Sequence, residues 1–265
     1  MISTFTDHLG NSIQIPFPPQ RIVSLVPSQT ELLYDLGLED RVVGITKFCI
    51  HPQKWFENKV KVGGTKKLNI ELIKRLEPDL IIGNKEENTK EEIEELQKFF
   101  PVWMSDIHNL EEAKQTIVDV GAITNRSPEA SYLVELINTG FRDIKTLGPG
   151  SFHFNKSVLY LIWNKPYMAA GRNTFIDDVL NTFGLTNVVQ STRYPILKDE
   201  DILELNPYYI FLSSEPYPFK EQHIEALKQL VPEAHILLVD GEMFSWYGSR
   251  MVKSIQYLFE LRDYL

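Results

Sequence analysis

The sequence predicts an α/β fold, two Rossmann-like lobes joined by one long rigid helix. Three observations predict it. Short apolar runs alternate with helical patterns along the chain, the same order of elements recurs in both halves, and a long capped helical stretch lies between them.

The apolar runs read as strands over residues 22–26, 42–45, 80–83 and 102–104 in the first half. Residues 158–163, 209–213 and 236–239 are their counterparts in the second, with a shorter strand at Val188-Val189. Continuous Val, Ile and Leu, without alternation, is the pattern of parallel strands covered on both faces. Ser28-x-x-Glu31, Thr89-x-x-Glu92 and Thr174-x-x-Asp177 read as capping boxes at helix starts, and Asn109-x-x-Glu112 as a related cap. The long helix opens at Ser127-Pro128-Glu129, with a first-turn proline and a dipole-matching acid. Ala130, Leu133, Ile137, Phe141 and Ile144 give it one apolar face, and Gly148-Pro149-Gly150 stops it. The expected organisation is an N-terminal α/β lobe over 1–126, a linker helix over 127–147 and a C-terminal α/β lobe over 148–265.

The repeat is visible in two places. Thr30-Glu31-Leu32-Leu33 leads through Gly37 to Val42-Val43, as Thr174-Phe175-Ile176-Asp177 leads through Gly184 to Val188-Val189. Glu71-Leu72-Ile73-Lys74-Arg75-Leu76-Glu77-Pro78 precedes the strand at Ile81, as Glu200-Asp201-Ile202-Leu203-Glu204-Leu205-Asn206-Pro207 precedes the strand at Ile210. Two similar lobes imply a cleft, the favoured place for a ligand.

Composition narrows the function. Hydrophobic residues make up 43% and charged residues 24% of the 265, as in ordinary globular proteins. A net charge of −9 argues against nucleic acid as partner, because phosphate contacts need clustered Lys and Arg. No apolar run reaches the roughly 18 residues that span a bilayer. No basic segment followed by an apolar one opens the chain, so no signal peptide is read here. Cys49 is the single cysteine, which excludes an internal disulfide. The six histidines show no i, i+4 metal spacing, and no nucleophile-base pair or phosphate-cradling loop is recognisable, so an enzyme is the least expected reading.

Three motifs, in order, carry a family resemblance: Arg21-Ile22-Val23-Ser24-Leu25-Val26-Pro27-Ser28-Gln29-Thr30-Glu31, Leu76-Glu77-Pro78-Asp79-Leu80-Ile81-Ile82, and Met168-Ala169-Ala170-Gly171-Arg172-Asn173-Thr174-Phe175-Ile176-Asp177. Together they resemble the class III periplasmic substrate-binding proteins, the helical-backbone group, most closely its vitamin B12-binding branch. The resemblance runs from about Thr6 to Leu265. It implies capture of cobalamin or a ferric chelate, siderophore- or haem-like, for the membrane subunits of an ABC importer, with only a small hinge motion. It also implies an extracytoplasmic location, a monomer, and no intrinsic cofactor beyond the metal-containing ligand itself. An intracellular carrier of the same fold is the alternative.

In such proteins the loops after the strands line the cleft. Here those loops carry Phe48, Cys49, His51, Asn84, Trp163, Tyr194, Phe244, Trp246 and Tyr247 as candidate ligand-binding residues. Aromatic faces suit a large planar ligand, since each ring buries on the order of 150–250 Å². Trp163 and Trp246 are expected to face each other, and Trp246→Ala to weaken binding without shifting the melting temperature. Cys49 and His51 are the soft-ligand pair of the chain, and His51 is the candidate metal ligand. Lys47, Lys85, Arg172, Arg193 and Arg250 are candidates for neutralising anionic groups on a ligand. The resemblance further implies that Glu71 and Glu200, one per lobe, dock onto the importer.

Overall fold

Strands that are apolar on both faces need cover on both sides, and the chain provides it twice, in two separate sheets. The structure is a computed structural model and describes residues 1–147 and 154–265. The helix stop expected at Gly148-Pro149-Gly150 lies outside the described residues. Two compact lobes result. The first comprises Met1–Ile107, Glu111–Leu136 and Tyr247–Arg250, and the second His108–Leu110, Ile137–Trp246 and Met251–Leu265.

The first lobe opens with an antiparallel hairpin, β1 (Ile2–Thr6) against β2 (Ser12–Pro16), which no apolar run signals. Then follow β3 (Ile22–Ser24), α1 (Pro27–Asp35), β4 (Val42–Ile45), α2 (Gln53–Asn58) and β5 (Val60–Lys61). A two-residue-strand hairpin, β6 (Gly63–Gly64) and β7 (Lys67–Leu68), leads to α3 (Ile70–Leu76), β8 (Leu80–Asn84), α4 (Lys90–Gln97), β9 (Val102–Ser105) and α5 (Leu110–Ile123). The sheet runs β5-β4-β3-β8-β9, every pair parallel. Val23, Leu25, Ile73, Ile81, Leu96 and Val102 form its core.

α6 (Ser127–Leu147) leaves the first lobe and enters the second. Its 21 residues make it about 30 Å long. Ala130, Ile137, Phe141 and Ile144 of the expected stripe are buried, and Leu133 is half-buried. Gly140 lies on this helix where the helix Met251–Arg262 approaches: a Cβ there would stand 2.5 Å from Ile255 Cδ1.

The second lobe contains β10 (Ser157–Trp163), β11 (Tyr167–Ala169), α7 (Phe175–Phe183), β12 (Thr186–Asn187), β13 (Ile196–Leu197), α8 (Asp199–Leu205), β14 (Tyr209–Ser213), α9 (Glu221–Leu230), β15 (His235–Val239), α10 (Glu242–Ser245) and α11 (Met251–Arg262). Its parallel strands, β12-β10-β14-β15, repeat the relation of β4-β3-β8-β9. Antiparallel β11 and β13 are added on the β10 side. The strand expected at Val188-Val189 forms two residues earlier, at β12.

The repeat extends to backbone angles. α3 ends at Glu77 (φ 46°, ψ 57°) and α8 at Asn206 (φ 41°, ψ 58°), each a left-handed cap followed by a proline and the next parallel strand. A helix cannot continue through this conformation, which turns the chain into the sheet.

The helix starts depart from the expected capping boxes. α1 begins at Pro27, with no side-chain cap, and Glu31 instead takes Arg250 in a two-pronged pair, Nε to Oε2 2.6 Å and Nη2 to Oε1 3.0 Å. Thr89 precedes α4, but Glu92 Oε1 accepts from the Leu68 amide at 2.9 Å. Thr174 does cap α7, accepting from the Asp177 amide at 3.2 Å. Where a buried guanidinium or a strand amide is within reach, a carboxylate serves it rather than its own helix start.

Candidate functional site

In open parallel sheets a ligand site forms beyond the carboxyl ends of the strands, near the point where strand order reverses. In the first lobe that order reverses at β3, and the loops after β4 and β8 lie at this end. The loop after β4 is pinned by Cys49. Its sulfur is buried, 3.0 Å from Thr30 Oγ1 and 3.1 Å from Thr46 Oγ1, and burial pushes the thiol pKa up. Cys49 therefore holds the loop from inside, while its neighbour Phe48 is 50% exposed and His51 half-buried. Among the described residues no group of three or more His, Cys, Asp or Glu is placed to hold a metal ion.

The loop after β8 is held by a neutral network. Asn84 Nδ2 donates to Ser105 Oγ (2.9 Å), and Gln29 Nε2 donates to the same oxygen (2.6 Å). Asn84 Oδ1 accepts from the Glu86 and Glu87 amides, and Asn88 Oδ1 accepts from the Asn84 amide. Asn84 is buried, so it shapes the loop from beneath. Tyr247 is also buried and belongs to this lobe. Beside Phe48 a groove of about 850 Å³ opens, bordered by Lys47, the β6–β7 hairpin and the start of α3.

In the second lobe the loop after β10 presents Trp163, 39% exposed and edge-on to Tyr217 at 5.7 Å between ring centroids. Tyr194 is half-buried, with the Arg193 guanidinium 5.9 Å from its ring centroid. Arg193 itself has φ 65°, a left-handed backbone that a side chain of its kind rarely adopts. The adjacent Gly171 is required by the same loop: a Cβ there would stand 2.1 Å from the Ser191 carbonyl oxygen. That contact gives a physical reason for the glycine in the Ala170-Gly171-Arg172 motif.

Phe244 and Trp246 take different positions. Phe244 is fully buried, 5.2 Å from Tyr160 and 6.0 Å from Phe211 between centroids, inside the second lobe's core. Trp246 is 8% exposed, and its Nε1 donates to Glu215 Oε1 at 2.8 Å. Ser245 Oγ donates to the same oxygen at 2.7 Å. Burial pushes the Glu215 carboxyl up; the two hydrogen bonds pull it down, and Glu242 and Asp240 push it up again. Trp163 and Trp246 thus each take a partner, Tyr217 and Glu215, from the single loop after β14. Sequence reasoning passes over that loop, although Glu215-Pro216-Tyr217-Pro218-Phe219 directly after an apolar run is a usable signal.

Against known proteins, residues 22–233 match the model of the periplasmic binding protein family. The chain belongs to that family. This periplasmic binding protein is 26% identical to the ABC transporter substrate-binding lipoprotein YvrC of Bacillus subtilis, over 97% of the chain and 84% of that protein. It is 26% identical to the vitamin B12-binding protein of Vibrio cholerae, over 75% of the chain and 72% of that protein. Its fold superposes on the petrobactin-binding protein YclQ of Bacillus subtilis with a TM-score of 0.82, covering 99% of the chain and 98% of the other at 20% identity.

Glu71 and Glu200 of this binding protein are both exposed, and each is the second residue of a seven-residue helix, α3 and α8, that ends in the same left-handed corner. Glu71 pairs with Lys74 at 3.1 Å. Arg250 is spent on Glu31 and buried. Among the described residues no helix is long and apolar enough to cross a membrane.

Proposed function

We propose that the protein captures a metal-bearing chelate or cofactor, cobalamin or a ferric siderophore- or haem-like ligand, and delivers it to an ABC importer outside the cytoplasm. The observation that carries this is the exposure of Phe48 and Trp163 on strand-end loops of a chain in this family. Large exposed rings at such a place are useful when a ligand covers them. The names of the relatives, an ABC transporter lipoprotein and a vitamin B12-binding protein, support the ligand class and the partner. In this reading Phe48, His51, Trp163 and Tyr194 touch the ligand. Cys49, Asn84, Phe244, Trp246 and Tyr247 hold the surfaces that do, and His51 is the proposed ligand for an incoming metal.

The test is an absorbance scan and native mass spectrum of freshly purified protein, followed by fluorescence titration with cobalamin, haemin and ferric siderophores. At least one should bind, and Trp163→Ala should weaken it by about 1–3 kcal/mol. A protein that binds none of them does not have this function. Glu71 and Glu200 are the proposed importer contacts, supported by their equivalent places in the two repeats. Changing both to Arg should stop delivery to the importer, and Glu200→Arg alone should impair delivery with ligand affinity unaltered; unimpaired delivery would remove them from the docking surface.

A further inference from the structure

The groove beside Phe48 is bordered by more basic than acidic side chains, against the sign of the chain as a whole. The chain carries a net −9, yet Lys47, Lys66 and Lys67 all border this one groove of about 850 Å³. The Lys47 ammonium lies 5.0 Å from the centre of the Phe48 ring, and Lys66 Nζ donates to the Glu86 carbonyl oxygen at 2.7 Å. None of the three forms an ion pair among the described residues. The one acid on the rim, Glu71, is engaged by Lys74 at 3.1 Å. Three like charges around one concavity repel one another. An anion placed there would be met by ammonium donors, while the Phe48 ring is placed to cover the apolar face of the group that bears the charge.

We infer that this groove receives the negatively charged part of the captured ligand, so the ligand is an anionic metal chelate with a planar face, bearing carboxylates or deprotonated catechols, and not a cobalamin. The inference rests on the capture function proposed above and narrows its ligand class. Lys47 and Phe48 act as a unit, the ammonium ending one side of the bound group and the ring covering its face. Lys66 lies in the tight turn between β6 and β7 and Lys67 opens β7, and the pairing of the two short strands fixes where their backbones lie. Cyanocobalamin has no net charge and a single anionic group, its nucleotide phosphate, which cannot offset three ammonium groups.

The experiment compares three probes by quenching of intrinsic tryptophan fluorescence: haemin with its propionates, the ferric complex of catechol, which has no carboxylate, and cyanocobalamin. Each is titrated into the wild type and into the triple variant K47Q/K66Q/K67Q, at low and high sodium chloride. One of the two anionic chelates should bind more tightly than cyanocobalamin. The triple variant should weaken it on the order of tenfold, since each exposed pair contributes only modestly. Added salt should weaken the wild type more than the variant. Which anionic probe binds distinguishes carboxylate from catecholate as the source of the charge. Melting curves check folding, and K66Q/K67Q, which leaves Lys47 over Phe48, repeats the test should the triple variant unfold. Tighter binding of cyanocobalamin, or equal affinity of variant and wild type for the anionic probes, overturns the inference while leaving the capture function standing. Failure of all three probes with the wild type overturns both.

Discussion

The two lobes share a plan but anchor their strand-end loops by different chemistry. In the first lobe the anchors are small and neutral: Cys49 between two threonine hydroxyls, and Asn84 with Gln29 on the Ser105 hydroxyl. In the second they are aromatic rings and one carboxylate, Glu215, holding Ser245 and Trp246. Neutral networks hold a loop at any ordinary pH, whereas a buried carboxylate can gain or lose a proton and loosen what it holds. The first lobe does contain a buried charge pair, Glu31 with Arg250, but it secures the segment Tyr247–Arg250 and not a strand-end loop.

The largest expected effect comes from breaking that pair. Glu31→Ala should destabilise the first lobe by about 3–5 kcal/mol, because it strands a guanidinium that is 4% exposed. Urea unfolding checks this, and a loss below about 1 kcal/mol would show that the segment is held by packing alone. A smaller effect is expected in the second lobe. Trp246→Phe keeps an aromatic ring but removes the N–H that serves Glu215 together with part of the indole's buried bulk, and should lower stability by about 1.5–3 kcal/mol. The burial of Trp246 also changes what its replacement by Ala should do: the melting temperature should fall, contrary to the expectation from sequence.

The smallest effect, and the one that sharpens the comparison most, is in pH dependence. The Glu215 carboxyl is raised above its ordinary 4.5 in the folded state, chiefly by burial. A raised carboxyl means that the folded state holds the proton more tightly. Its contribution is full below 4.5 and is lost as pH rises through the folded value. His8 in the first lobe is raised above 6.5, chiefly by its hydrogen bond to Asp119 (3.0 Å). Its contribution is full below 6.5 and is lost as pH climbs through its own folded value. The second lobe should therefore begin to soften at lower pH than the first. Amide hydrogen exchange, read separately for each lobe across this range, follows both. Glu215→Gln should flatten the lower-pH change only; a slope that survives it would assign the effect to another group.

Much of the scaffold was legible in the residues. Residues 42–45 and 209–213 read as strands and are strands, because a continuous apolar run is stable only inside a covered sheet. The stripe on α6 and the helix–proline–strand corners were equally local signals. The hairpin β1–β2 was not, because its strands alternate exposed positions with half-buried ones in β1 and buried ones in β2, over only five residues each. The candidate site was legible as a set of loops but not as a set of side-chain roles. Phe48 and Cys49 are adjacent in one loop, yet one is half exposed and the other closed against Thr30.

By itself the sequence determined the alternation of strands and helices, the internal repeat and the family, because these rest on periodicity and on neighbours close in the chain. Only the tertiary structure decided that Glu31 serves Arg250, 219 residues away, that Glu215 holds Trp246, and that three lysines share one groove. The reason is that charge partners and burial depend on which distant segments the fold brings together, and a one-dimensional pattern carries no measure of that distance.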